Sequence, residues 1–313
     1  MLHRLVSRLS FRLRMRYFDS RERLTRRVLA RKQALAAAPF RYTDQPNLSL
    51  IIQSFNHCQN ITRILTRLRT TAAEEIIVCE DGSIDGSERE WIRQLTRPND
   101  FLIRSNDIHE IRTYNRAIDL ARGEIICVMQ DDDIPPPNGD WVTTALALFD
   151  KFPKLAVLGC SFALSFDFCR ESGDPFDHVP ISHRDPDVDV PFMFAQTVGI
   201  GPVFFRRRVF RELGGFDLSF SQAGEPGIVL DQDICFRTWL AGHHVGLFEA
   251  SGFERRIGGQ GTLMFGRVER KRNRRANLDK VKQRYSSDVG HINGLVANLN
   301  TQLVARIRLQ RGE

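Results

Sequence analysis

The chain has 313 residues, of which 42% are hydrophobic and 27% are charged, and its formal net charge is +7. This composition is typical of a globular protein whose core serves one large domain or two smaller ones. No apolar stretch reaches the length of a bilayer-spanning helix, and the N-terminal region lacks the continuous apolar segment of a secretory signal, so we expect neither.

The positive charge is concentrated at the N-terminal end. Residues 1–32 contain ten Arg and one Lys against Asp19 and Glu22, a net charge of +9, so the rest of the chain carries −2. Residues 1–38 contain no Gly or Pro and have apolar residues at helical intervals, which predicts a basic amphipathic helical extension over residues 1–40. Two interpretations stay open: a helix packed on the domain with a solvated Arg face, or peripheral contact with an anionic membrane. No nucleic-acid motif accompanies the charge, so no nucleic-acid partner is expected.

The six cysteines are scattered, with no C-x-x-C pair and no His at metal-ligand spacing. In a chain without a secretory signal, this pattern predicts reduced cysteines and a cytoplasmic location. If the basic extension binds lipid, the protein would lie on the inner face of the membrane.

From residue 48 onward, short apolar segments alternate with segments of helical periodicity. Strands are predicted over residues 48–55, 74–80, 101–105, 124–129 and 155–161, and helices over residues 59–70, 87–95, 109–121 and 141–152. This alternation predicts an α/β fold with a mostly parallel sheet and helices on both faces. Beyond residue 161 we expect an irregular excursion over 170–191, a structured segment over 199–220, a helix over 231–242 and a strand over 244–250.

Candidate site residues follow three of these strands at the point where each strand ends. They are Ser54, Phe55 and Asn56 after the first strand, Glu80, Asp81, Gly82 and Ser83 after the second, and Gln130, Asp131, Asp132 and Asp133 after the fourth. Because open parallel sheets bind ligands at the carboxyl ends of their strands, we expect these loops to converge on one site.

Carboxylates that converge in this way need a counter-charge. Two carboxylates about 4 Å apart repel by roughly 4 kcal/mol at an effective dielectric constant of about 20. Mg²⁺ or Mn²⁺ would remove this repulsion, since both prefer oxygen ligands and share their coordination shell with substrate phosphates. The pattern therefore predicts a metal–diphosphate ligand, with Asp131, Asp132 and Asp133 as candidate metal ligands. The alternative is a solvated turn in which Asp caps a helix, which Pro135–Pro137 disfavour.

Two common nucleotide-binding loops are missing from the sequence. No G-x-G-x-x-G follows a predicted strand, and no G-x-x-x-x-G-K-[ST] is present. A nicotinamide-binding Rossmann domain and a P-loop are therefore not expected.

Five segments, taken in chain order, resemble the successive motifs of the family 2 glycosyltransferases, which have the GT-A fold. They are "LSLIIQSFNHCQNITRILTRL", "EEIIVCEDGSIDGS", "NRAIDLARGEIICVMQDDDIPP", "GPVFFRRRVFRELGGFDLSF" and "LDQDICFRTWLAG". The resemblance runs from about residue 48 to about residue 250.

The resemblance implies a role for each matching position. Asp231 matches the catalytic base of the family's "ED" motif, and the run Asp131–Asp133 matches the DxD motif, which binds the metal and the donor diphosphate. The residues expected to bind the nucleotide sugar are Ser54, Phe55, Asn56, Glu80, Asp81, Gly82, Ser83, Asn115, Gln130 and Asp131.

The sequence departs from the family pattern at three places. Gln130 stands where the family has Asp, so the DxD motif can be read as Asp131–Asp133 or as Gln130–Asp132. Leu230 replaces the Glu of the "ED" motif. After the last predicted strand there is no metal-binding His, and Arg255 with Arg256, or the basic run 267–275, would instead neutralise the leaving diphosphate. We interpret the run 267–275 as a solvated basic surface.

The resemblance implies a metal-dependent inverting glycosyltransferase. The expected donor is a nucleoside-diphosphate sugar, with a UDP-sugar favoured, and the expected acceptor is a saccharide or lipid-linked hydroxyl in surface polysaccharide or glycolipid synthesis. The expected organisation is an extension over 1–40, a GT-A domain over 41–265 with halves at 48–160 and 161–265, and a basic helical segment over 266–313.

Two rival functions are weighed against this one. The first is a catalytically silent GT-A-like domain that binds a membrane or a partner through its Arg-rich tail. The second is a nucleotidyltransferase, which is disfavoured because "SFNHCQN" lacks a Gly-rich loop with a Lys.

Overall fold

The computed structural model describes residues 46–105, 110–170, 174–182, 184–185, 190–221, 227–255 and 266–312. The predicted extension over residues 1–40 and the candidate Arg256 lie outside these ranges, so the expectations made for them stay predictions.

The observed elements follow the predicted alternation closely. The helices are α1 (Cys58–Leu68), α2 (Ser87–Gln94), α3 (Glu110–Leu120), α4 (Asp140–Lys151), α5 (Arg207–Glu212), α6 (Leu230–Leu240), α7 (Gly266–Tyr285) and α8 (Val289–Arg311). The strands are β1 (Leu48–Ser54), β2 (Glu75–Glu80), β3 (Asp100–Arg104), β4 (Ile125–Gln130), β5 (Asp133–Ile134), β6 (Leu155–Gly159), β7 (Ala163–Phe166), β8 (Phe176–Val179), β9 (Arg184–Asp185), β10 (Val190–Phe194), β11 (Thr197–Val198), β12 (Val203–Arg206), β13 (His244–Phe248) and β14 (Glu254–Arg255).

A nine-stranded sheet with the order β3-β2-β1-β4-β12-β6-β13-β10-β9 forms the centre of the fold. Strands β3, β2, β1 and β4 are parallel to one another, while β12 is antiparallel to both of its neighbours, β4 and β6. Every residue of β1 is buried, as expected for a strand covered on both faces of the sheet. The mostly parallel α/β architecture predicted from the sequence is confirmed.

The stretch after residue 161 is more regular than expected. Strand β8 lies within the predicted irregular excursion over 170–191, and it pairs with β7 in a small second sheet of order β11-β7-β8. The prediction of an irregular segment is wrong for this part. The hydrogen bonds of β8 come from β7, the strand that precedes it in the chain, and the composition of the segment does not indicate this pairing.

Helices α7 and α8 pack against the sheet and share its core. Tyr285 from α7 and Ile292, Leu303 and Ile307 from α8 are buried among the core side chains. Lys271 and Arg275 within the basic run are exposed, in agreement with a solvated surface. Within the described ranges, no helix combines the length and the apolar character needed to cross a bilayer.

Candidate functional site

The carboxyl ends of β1, β2 and β4 meet at one edge of the sheet. Ser54 lies opposite Glu80 across the β1–β2 pair, and Gln53 lies opposite Gln130 across the β1–β4 pair. Neighbouring strands are about 4.8 Å apart, so the three loops that leave this edge are in contact. The predicted convergence of these three loops is therefore observed in the fold.

Asp131 is bound by the loop that follows β1. Its Oδ2 accepts hydrogen bonds from Ser54 Oγ at 3.0 Å and from the Phe55 backbone N–H at 2.7 Å, and its Oδ1 lies 2.8 Å from His57 Nδ1. Trp91 Nε1 donates to the same Ser54 hydroxyl at 2.8 Å. Asp131 is buried, and these contacts use both of its carboxylate oxygens to hold the loop in shape.

His57 is a site residue that the sequence analysis did not find. The hydrogen bond with Asp131 raises the pKa of His57 above its ordinary value, against the opposite effect of its burial. Asp132 contributes to the same increase in pKa by its charge. The histidine is separated from Asp131 by 74 residues, and no spacing rule connects the two, so only the folded sheet reveals the pair.

The Glu80 carboxylate organises the loop after β2. It accepts hydrogen bonds from the backbone N–H of Ser83 at 2.6 Å and of Gly82 at 3.2 Å. Gly82 has φ of +86°, a left-handed conformation that favours glycine. Burial raises the pKa of Glu80, while the bonds from Ser83 and Gly82 act in the opposite direction.

Asn56 joins the loops after β1 and β2. Its backbone N–H donates to Ser83 Oγ at 3.0 Å, and its side-chain Oδ1 accepts from the Ile84 N–H at 2.8 Å. Asp81, which is buried, donates its backbone N–H to the Ser54 carbonyl at 3.0 Å. The two loops therefore form one connected structure at the sheet edge.

The other two aspartates of the triplet have different surroundings. Asp133 is buried and accepts a hydrogen bond from the Gln130 backbone N–H at 3.1 Å. It packs on Gly201, where an added Cβ would lie 3.3 Å from both carboxylate oxygens, and the φ of +121° at Gly201 also favours glycine. Asp132 is half-buried, and its side chain is the most accessible of the three.

Asp231 stands in the first turn of α6. Its Oδ2 accepts a hydrogen bond from the Ile200 backbone N–H at 3.2 Å, and its Oδ1 accepts from the Gln232 N–H at 3.2 Å. The residue is partly exposed, but the carboxyl group is enclosed by protein, and this burial raises its pKa above the ordinary value of 3.8.

One short loop connects Asp231 to the aspartate triplet. Residues 199–202 precede β12, which is antiparallel to β4, so this loop lies at the carboxyl end of β4. Ile200 binds Asp231, and the adjacent Gly201 contacts Asp133. The candidate base and the candidate metal-binding loop therefore border the same edge of the sheet.

Asp233 points away from Asp231, as expected for neighbours two residues apart on a helix. Its Oδ2 accepts from Arg237 Nε at 2.8 Å, and its Oδ1 accepts from Tyr285 Oη at 2.7 Å and from Arg284 Nη1 at 3.0 Å. Asp233 is fully buried. Its role in the fold is to join α6 to α7.

Asn115 has a structural partner at both ends of its side-chain amide. Its Nδ2 donates to the Phe216 carbonyl at 2.8 Å, and its Oδ1 accepts from the Phe216 N–H at 2.9 Å. The expectation that Asn115 lines the donor site stays a prediction. The amide holds the turn at Gly214 and Gly215, which the sequence does not connect with Asn115.

The donor set at the edge suits a divalent cation that is shared with a diphosphate. In the described ranges, no three His, Cys, Asp or Glu side chains are grouped to hold a metal by themselves. One accessible carboxylate, that of Asp132, with Asp133 beside it, fits Mg²⁺ or Mn²⁺, which bind through one or two carboxylates plus substrate phosphates. Asp131 already accepts hydrogen bonds from Ser54 and Phe55 and contacts His57, so its carboxylate also holds the preceding loop.

The fold is similar to that of solved glycosyltransferases. The mannosyltransferase PcManGT from Pyrobaculum calidifontis, in complex with GDP-Man and Mn²⁺, is 15% identical over 82% of this chain and 70% of its own, with a TM-score of 0.50. GalNAc-T7, with UDP, GalNAc and Mn²⁺, is 12% identical over 66% of this chain and 43% of its own, with a TM-score of 0.52. This chain thus spans less than half of GalNAc-T7.

The family assignment agrees with the fold. Residues 49–170 match the family model described as glycosyl transferase family 2, whereas a comparison with curated proteins gave no match. The fold is that of the GT-A glycosyltransferases. Residues 49–170, which make up less than half of the chain, resemble glycosyltransferase family 2.

Proposed function

We propose that the protein transfers a sugar from a nucleoside-diphosphate sugar to an acceptor hydroxyl, with Asp231 as the general base and with inversion at the anomeric carbon. The observation that supports this most directly is the loop 199–202, which contacts both Asp231 and Asp133. A base and a diphosphate-binding loop must border one cleft if an acceptor is to attack from the face opposite the leaving group.

Asp231 is suited to accept the acceptor proton. Its raised pKa makes it a stronger base than an ordinary aspartate. The Ile200 N–H holds its Oδ2 and so limits the orientation of the carboxylate. When the acceptor oxygen forms its bond to the anomeric carbon, the bond to the diphosphate oxygen breaks, and the acceptor proton passes to Asp231.

We assign cation binding to Asp132, with Asp133 supporting the turn and Asp131 holding the preceding loop. Mn²⁺ or Mg²⁺ held there would neutralise the charge on the departing diphosphate. Glu80 and Asp81, at the end of β2, are assigned to the base and ribose of the donor. Two proteins of similar fold bind GDP-Man or UDP together with Mn²⁺, which supports a nucleotide-sugar donor and a divalent cation for this protein.

The test is a screen for release of nucleoside diphosphate from UDP-glucose, UDP-N-acetylglucosamine and GDP-mannose, with Mn²⁺ and with EDTA. We expect metal-dependent hydrolysis of one donor, and loss of that activity in Asp132→Asn. Thermal stabilisation by UDP or GDP with Mn²⁺ provides a second readout. Absence of both hydrolysis and stabilisation would favour the catalytically silent alternative.

The acceptor is proposed to be a saccharide or a lipid-linked hydroxyl, presented at the inner face of a membrane. The support is the basic segment over residues 1–38. Co-sedimentation with anionic liposomes at low and high salt, with the full chain and with a chain lacking residues 1–38, tests this idea. Equal binding of the two chains would contradict it.

A further inference from the structure

The backbone just before Asp231 adopts an unfavourable conformation. Val229, the residue that precedes α6, has φ of +70°, a left-handed conformation that β-branched residues rarely adopt. It is buried, and no side chain caps the helix at this end. A conformation of this kind persists only where the surrounding structure holds it in place.

Helix α7, from the C-terminal part of the chain, provides contacts on both sides of Val229. On one side, Asn277 Nδ2 donates to the Ile228 carbonyl at 2.9 Å. On the other side, Tyr285 Oη and Arg284 Nη1 donate to the Asp233 carboxylate.

Asn277 also donates to the carbonyl of Phe220 at 2.7 Å, so one buried amide fixes two separate points of the chain. Buried carbonyls that lose their donor are destabilised, because water does not replace it. The buried Phe220 carbonyl and the partly buried Ile228 carbonyl therefore depend on Asn277.

We propose that Asn277 is a positioning residue for the reaction and that it acts through the backbone of residues 228–231. This inference rests on the proposed role of Asp231 as the base. Because a small misplacement of a catalytic group reduces the rate strongly, release of the Ile228 carbonyl would lower turnover without touching the donor site. Helix α7 is then part of the catalytic apparatus, although it lies more than 30 residues beyond Asp231 in the chain.

Asn300 provides a matched control. It lies on α8 and also uses its amide for two hydrogen bonds with backbone, donating to the Phe194 carbonyl at 2.9 Å and accepting from the Phe194 N–H at 2.8 Å. Strand β10, which contains Phe194, has no contact with Asp231 among those described. Asn277→Ala and Asn300→Ala thus each remove two hydrogen bonds between a side-chain amide and the backbone.

The experiment measures the hydrolysis of the donor found in the screen. We expect Asn277→Ala to lower kcat at least tenfold with KM for the donor unchanged, and Asn300→Ala to change kcat less than threefold. Hydrogen exchange should accelerate in peptides covering residues 228–236 of Asn277→Ala only. Equal kcat losses in the two variants, or unchanged exchange over 228–236, would overturn the proposal.

A second substitution tests the mechanism. Glycine adopts a positive φ easily. We therefore expect the double variant Asn277→Ala/Val229→Gly to have a kcat at least threefold higher than that of Asn277→Ala alone. Tyr285→Phe, which removes one hydrogen bond to Asp233, is the substitute if Asn277→Ala does not fold. It should lower kcat and accelerate hydrogen exchange over residues 228–236 in the same direction but by smaller amounts. Absence of any rescue by Val229→Gly, or a normal kcat in Tyr285→Phe, contradicts the positioning role.

Asp231→Asn, measured in parallel, separates this proposal from the proposed function. If Asp231→Asn remains active, the base assignment fails. If Asp231→Asn is inactive while Asn277→Ala behaves like Asn300→Ala, only the positioning role fails.

Discussion

Two acidic turns, residues 131–133 and residues 231–233, border the site, and they are built differently. Asp131 and Asp133 in the first turn and Asp233 in the second are buried, while Asp132 and Asp231 are more accessible. Asp131 is held by a hydroxyl, a backbone N–H and an imidazole, all from residues 54–57. Asp233 is held by two arginines and a tyrosine, two of which come from α7.

The difference shows where each half of the site obtains its rigidity. The turn at 131–133 is held by a neighbouring loop of the same parallel sheet, so it needs no contact from the later part of the chain. The turn at 231–233 is held by α7 and is preceded by the strained residue Val229. Asp231, the proposed base, therefore depends on contacts from a distant helix. Substitutions in the two turns should show which aspartates serve activity and which serve stability.

The largest expected effect is on turnover, from Asp231→Asn. General base catalysis contributes about 10²- to 10⁴-fold, so we expect a loss of that order in kcat while donor affinity is kept. In the wild type, turnover should fall as the pH drops through the pKa of Asp231, which is raised above 3.8. Steady-state rates and UDP or GDP titrations with Mn²⁺ measure both quantities.

The exposed Asp150, on α4, is the control, and Asp150→Asn should keep the wild-type rate. A rate for Asp231→Asn within tenfold of the wild type, a loss below ~1.4 kcal/mol, would show that another group is the base.

Asp233→Ala should cause the largest loss of stability. Removing one partner of a buried ion pair costs about 3–5 kcal/mol, because the remaining charge loses its counter-ion. Here Arg237 would lose its ion pair with Asp233, while Arg284 would keep the one with Asp217. Urea denaturation followed by fluorescence measures the free energy of unfolding. Asp174 provides the comparison, since its bond with Arg274 is exposed, and Asp174→Ala should cost less than about 1 kcal/mol. Similar losses in the two variants would refute the structural role assigned to Asp233.

Comparing Asp131→Asn with Asp132→Asn distinguishes the roles of these two aspartates. The first should lower the free energy of unfolding by about 1.5–3 kcal/mol, because it weakens hydrogen bonds to a buried charge. The second should leave stability nearly unchanged and remove the thermal stabilisation by Mn²⁺ with UDP or GDP. The reverse pattern would make Asp131 the metal ligand.

The smallest expected effect is a pH dependence of stability from His57. Its pKa is raised in the folded state by Asp131, so protonation stabilises the fold. This contribution is fully present below pH 6.5, the ordinary value, and is lost as the pH rises through the folded-state pKa. The stability difference between wild type and His57→Gln should therefore be larger at pH 5.5 than at pH 8.5.

The exposed His291, on α8, is the control for this measurement. His291→Gln should show no such change with pH. A difference for His57→Gln that is constant with pH, or that grows toward alkaline pH, would contradict the proposed pairing with Asp131.

Much of the fold and of the site edge could be predicted from the sequence. Strand β1 and strand β4 are continuous apolar segments, and parallel strands bring their carboxyl ends to one edge by geometry alone. For this reason the sequence predicts that Glu80, Asp131 and their neighbours lie together. The second sheet escaped prediction because strand β8 is polar and takes its hydrogen bonds from β7, a partner that local pattern does not specify.

What the amino-acid sequence determined by itself is the alternation of strands and helices and the types of side chain that follow each strand. These depend on local periodicity and on backbone geometry, which act over a few residues. Only the tertiary structure decided which aspartates serve the fold and which border the cleft. That choice depends on His57 reaching Asp131 and on α7 reaching Asp233, and contacts between residues so far apart in the chain are set by packing rather than by local pattern.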